Sequence, residues 1–189
     1  MRSRRHILGH SLFLRIVAGR LFADSTYAPS WQGKIILALR HDFKDMFSSS
    51  RKDTRRMFFD VCRKQQSGAP LSALETIVAD IIRLHPEYQL LLAGDAEESL
   101  DRDWRPEGGE TNPFLHMGLH IAIREQLSID RPAGVKAAHA ALLGRYGDAH
   151  KAEHVMLECL AESLWRGQRE GRLPDEQAYL ACLQAHANG

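Results

Sequence analysis

Apolar residues in this chain recur three and four positions apart, and no stretch alternates apolar and polar with a period of two. That spacing builds helices whose buried stripe runs along one side; it does not build half-buried strands. No hairpin dipeptide stands between apolar runs, and no repeat period appears. The expected fold class is all-α, an antiparallel helical bundle of about six helices, because the connections between periodic segments are short.

Start and stop signals place the helices. In residues 51–66, Met57, Phe58, Val61 and Cys62 share one face, with the Arg and Lys side chains mostly outside. Ser72 and Glu75 form a capping-box pattern, and the helix they open carries Leu74, Ile77, Val78, Ile81, Ile82 and Leu84. Pro86 stops it near His85. EYQLLLAG gives a short helix, and residues 94–111 read as an acidic, turn-rich loop that Trp104 pins to the body. Asn112 as N-cap and Pro113 at the first helical position start a helix that runs to about Leu127. Residues 134–146 make the next helix, and Asp148 caps a long one that runs to about Arg169. After the connector GRLP, Asp175 caps the last.

A chain of 189 residues can bury a core without staples. Its net charge of +1 is unevenly spread. Residues 1–45 carry eight Lys/Arg against three Asp/Glu, or +5, and residues 46–189 carry 17 against 21, or −4. The body is therefore mildly acidic, which excludes nucleic acid as the default partner. No apolar run approaches the ~20 residues of a membrane span, so no membrane partner is expected. Residues 1–45 read as an N-terminal extension outside the core. Their apolar stretch is interrupted by Gly9, His10, Arg15 and Arg20, which spoils a secretory signal. Met46 is the expected natural start, and residues 46–189 a single helical domain. Cys62, Cys159 and Cys182 form no CxxC. Cys159 and Cys182 fall in helical patterns as small apolar residues, and the chain reads as cytoplasmic, in a reducing compartment.

Chemistry concentrates in two histidine pairs, each spaced four apart. His116 and His120 sit in NPFLHMGLHIAI; His150 and His154 sit in GDAHKAEHVMLECLAE, with Glu158 four further on. On a helix each pair projects from one face, about one turn apart, at the border of the apolar stripe. Imidazoles suit zinc, iron, copper or nickel, and a nearby carboxylate admits iron or manganese. His116, His120, His150, His154 and Glu158 are thus candidate ligands for a divalent transition metal (zinc, iron or manganese), built as bundle sites are from facing helices. Glu162, one turn past Glu158, is placed to orient a ligating imidazole. There is no HExxH, no paired Glu-x-x-His, and no GxGxxG, GxSxG or P-loop, so no catalytic residue and no reaction is named. The alternatives are a buried His–Glu network without metal, or incidental, partly exposed histidines. A non-catalytic interaction module, a homodimer or one with a protein partner, is the competing class of function. Trp104, Trp165 and Tyr179 are its candidate surface.

TNPFLHMGLHIAIREQLSIDRPAG, then GDAHKAEHVMLECLAESLWRGQR, PDEQAYLACL and HPEYQLLL, resemble an uncharacterised bacterial family, domain of unknown function 1841. The resemblance covers most of residues 46–183 and leaves out 1–45. It implies a small bacterial cytoplasmic protein and carries over no activity, substrate or site residue.

Overall fold

In the computed structural model, residues 51–102, 104 and 111–189 are described. Among them there are eight α-helices, one 3-10 turn and no strand. They are α1 (Arg51–Ser67), α2 (Ala73–Leu84), the 3-10 turn Pro86–Tyr88, α3 (Gln89–Ala93), α4 (Ala96–Asp101), α5 (Pro113–Ile129), α6 (Val135–Tyr146), α7 (Ala149–Glu170) and α8 (Glu176–Asn188). The all-α expectation holds. The 45/46 boundary and the Met46 start lie outside the described residues. No helix among the described residues is long and apolar enough to cross a membrane.

The described residues fall into two compact units, 51–121 and 122–189, with the boundary inside α5. In the first, α1 packs on α2, α3 and α4. Phe58, Val61, Val78, Ile81, Leu100, Phe114 and Met117 are among its fully buried apolar residues. The α2 cap forms as the sequence reads. The Glu75 N–H donates to Ser72 Oγ at 3.3 Å, and the Ser72 N–H donates to Glu75 Oε2 at 2.8 Å. Glu75 also accepts from Lys64 Nζ at 2.6 Å, which joins the α2 start to α1.

That arrangement has a consequence at low pH. The Lys64 hydrogen bond, followed by those from Ser72, lowers the Glu75 carboxyl from 4.5 to about 2. A lowered folded-state value means that the ionised form supports the fold. Its contribution is fully present above about pH 4.5 and is lost as pH falls through about 2. Glu75→Gln should flatten this part of the acid response, read as urea midpoints at successive pH values. An acid response as steep in the variant as in the parent would assign it to other groups.

One basic residue of α1 lies inside, and one expectation for this unit is corrected. Arg55, unlike the exposed Lys52, Arg56 and Arg63 of the same helix, is 1% exposed. Its Nη1 donates to the carbonyl oxygens of Ser99 at 3.2 Å, Leu100 at 2.9 Å and Arg102 at 2.9 Å. These lie at or just past the C-terminal end of α4, where carbonyls lack helical partners and a cation complements the helix dipole. The stretch expected as loop from residue 94 therefore holds a helix, Ala96–Asp101, capped by Asp95, whose side chain accepts the Glu97 N–H at 2.9 Å. Trp104 does pin the segment, with its ring 6.5 Å from that of Phe114.

In the second unit α6, α7 and α8 pack on one another around Leu142, Met156, Leu160 and Leu183. Asp148 caps α7 by accepting the Lys151 N–H at 2.9 Å, and Asp175 caps α8 by accepting from Gln177 and Ala178, both at 3.0 Å. Gly167 is required where the connector folds back. A Cβ there would lie 2.9 Å from the Arg172 carbonyl oxygen, while the Arg172 N–H donates to the Gly167 carbonyl at 3.0 Å. Tyr179 is buried and donates to Gln126 Oε1 at 3.0 Å, which removes it from any surface role. Burial also raises its phenol well above the ordinary value. Cys159 and Cys182, expected as separate reduced thiols, are joined in a disulfide with a Cα–Cα distance of 5.9 Å. The sequence separation of 23 hid the pairing, which depends on α8 packing along α7.

Candidate metal centre

Three imidazoles converge in the unit of residues 51–121, and local chain chemistry puts each one there. His116 and His120 lie on consecutive turns of α5. Asn112 fixes the start of that helix by accepting the N–H groups of Phe114 at 3.1 Å and Leu115 at 3.2 Å. Phe114, fully buried, anchors the first turn between Phe58 and Phe59, with ring centroids at 5.9 and 6.0 Å. The register that seats Phe114 turns His116 and His120 inward two and six residues later. His120 is 1% exposed and His116 is half-buried.

The third imidazole, His85, comes from the end of α2. Pro86 cannot continue the helix and holds the preceding residue out of helical geometry. His85 therefore takes the C-cap at φ −122°, ψ 70°, with its N–H donating to the Ile82 carbonyl at 3.2 Å. That turn delivers a side chain only 1% exposed against the two α5 histidines. The His85 ring centroid is 4.7 Å from that of His116 and 4.8 Å from that of His120, and His116 and His120 are 5.0 Å apart. One ring nitrogen from each lies within 4.8 Å of one from the other two.

A carboxylate and a phenol lie beside these rings. His85 Nδ1 is 2.8 Å from Glu87 Oε1. A neutral ring that donates from Nδ1 to this carboxylate keeps its lone pair on Nε2, the nitrogen a metal would take. Partial burial pushes the Glu87 carboxyl up, but the His85 hydrogen bond and its own backbone N–H outweigh it, so the group sits below the ordinary carboxylate value. Tyr88 closes the site, with its ring 5.5 Å from His85 and 5.7 Å from His116. Burial, then the Glu87 charge, raises its phenol.

His116 and His120 are thus brought together as the spacing predicts, and the sequence reading missed His85. The signal available was His-Pro at a helix end with a carboxylate two residues from the imidazole, but nothing local ties it to a pair 31 residues downstream. The remaining expected ligands lie in the other unit. There His150 and His154 are half-buried with ring centroids 4.2 Å apart, and Glu158 is exposed. Glu162, expected to orient an imidazole, instead pairs with Arg166 Nε at 2.6 Å.

The family model described as Domain of unknown function (DUF1841) matches residues 50–185. No curated protein and no solved structure matches the chain.

Proposed function

We propose that this chain, which belongs to the DUF1841 family, is a metal-binding helical protein whose ligands include His85, His116 and His120. The observation that carries the reading is the convergence of three buried or half-buried imidazoles, one ring nitrogen from each within 4.8 Å of the others. A single buried histidine is ordinary in a core. Three whose ring nitrogens lie within 4.8 Å of one another, one of them beside a carboxylate, match the donor set and outer partner of transition-metal sites. Three protein donors leave positions for water or another ligand, which is the arrangement that permits Lewis-acid chemistry at zinc and related ions. Glu87 would fix the His85 tautomer and raise its basicity.

The same His85–Glu87 hydrogen bond also favours a second reading, a metal-free polar knot in a structural or interaction module. Cobalt(II) titration of the full chain with its disulfide intact separates the two. The metal reading expects a saturable ligand-field spectrum at one equivalent, abolished in His120→Ala. In Glu87→Gln the affinity should fall about 10–100-fold. A parent that takes up no cobalt, zinc, iron or manganese would leave the polar knot. His150→Ala/His154→Ala, titrated beside them, reads whether the α7 pair donates as well.

A further inference from the structure

A second cluster of metal-binding donors lies wholly within the unit of residues 122–189 and shares no residue with the histidine cluster. Cys159 on α7 faces Cys182 on α8, and His186 follows Cys182 one turn later on the same helix. One ligand atom from each lies within 4.8 Å of the other two. Burial is graded: Cys159 is 2% exposed, Cys182 is half-buried and His186 is exposed. A cavity of about 150 Å³ adjoins the two cysteines, lined in part by Ser163, Gly167 and Tyr179.

We propose that Cys159, Cys182 and His186 form a redox-gated zinc site, loaded when the thiols are reduced and emptied when they pair. Two thiolates and an imidazole are a soft donor set suited to zinc, with water in the fourth position. The i, i+4 spacing of Cys182 and His186 aims both donors to one side of α8, where Cys159 meets them. The gating follows from exclusive use of the same sulfurs, since a thiolate that ligates zinc cannot also be part of a disulfide. The oxidant is a small-molecule disulfide. The Cys182 thiolate, the more accessible sulfur, attacks it, forms a mixed disulfide and expels one small thiolate. The Cys159 thiolate then attacks the Cys182 sulfur, closes the protein disulfide and expels the second. Two electrons pass from the cysteine pair to the oxidant, its two thiolates take up two protons, and Zn²⁺ is released. A small-molecule dithiol reverses the sequence.

Zinc content of the full chain, measured after desalting in the anaerobically reduced state and after treatment with oxidised glutathione, tests this. The histidine cluster contains no sulfur, so whatever it binds is common to both states and cancels. The expected result is one more equivalent of zinc in the reduced protein than in the oxidised one. That difference should vanish in Cys182→Ser and fall at least tenfold in apparent affinity in His186→Ala, whose exposed side chain is not needed for folding. Equal zinc in the two redox states would overturn the proposal. A redox-dependent equivalent that His186→Ala leaves undiminished would overturn the three-donor assignment.

Discussion

Arg55→Ala should cost the protein about 3 kcal/mol of stability, more than any other replacement of a basic residue in α1. The guanidinium is 1% exposed and satisfies the carbonyls of Ser99, Leu100 and Arg102. Alanine would leave those oxygens around a cavity, and lost charge-assisted hydrogen bonds add to lost packing. Arg55→Lys should recover only part, because the lysine chain is shorter and lacks the planar guanidinium that lies against the Phe114 ring. The neighbouring Arg56 provides the control. It pairs with Glu97 at 2.9 Å on the surface, and Arg56→Ala should cost less than about 1 kcal/mol. Denaturant unfolding of the four proteins ranks them. Equal losses for Arg55→Ala and Arg56→Ala would refute the buried clamp. The effect should reach the histidines too, since the Arg55 guanidinium lies 5.1 Å from the centre of the Phe114 ring that anchors the first turn of α5.

Metal should stabilise the fold by a comparable amount. An ion that binds the folded chain and not the unfolded one contributes about 2.7 kcal/mol at a free concentration a hundredfold above its Kd. With the disulfide closed, adding metal to the stripped protein should therefore raise the melting temperature. His85→Ala, His116→Ala and His120→Ala should each abolish or greatly reduce that rise. The sign of its pH dependence follows from the donor. Coordination needs the imidazole lone pair that a proton occupies at low pH, so the metal-induced rise should shrink as pH falls from about 7 to about 5. A rise that is the same in parent and variants, or that grows on acidification, would place the metal elsewhere.

What the sequence discloses here tracks how local each cause is. The caps at Ser72, Asn112, Asp148 and Asp175 act on amide groups two or three residues away, so their residue types mark the helix starts directly. The His116–His120 pair is equally local, because helical pitch alone puts both on one face. His85 is not. Pro86 marks where α2 ends, but only the packing of that end against α5 brings its imidazole to the others. Arg55 does not stand out in the sequence, because a basic residue among basic neighbours reads as a solvated face. Its burial is decided by carbonyls some 45 residues on, at the end of a helix hidden in an acidic stretch. Cys159 and Cys182 sit at unremarkable helical positions, and only the packing of α8 along α7 pairs them.

The most direct measurement is the metal content of the full chain, purified without chelator and with its disulfide intact, beside a His85→Ala/His116→Ala/His120→Ala variant shown by circular dichroism to remain helical. Close to one equivalent of a transition metal is expected in the parent and none in the variant. A metal-free parent that also takes up no zinc, iron or manganese when these are added, or a variant that retains the full equivalent, would contradict a metal site at these histidines.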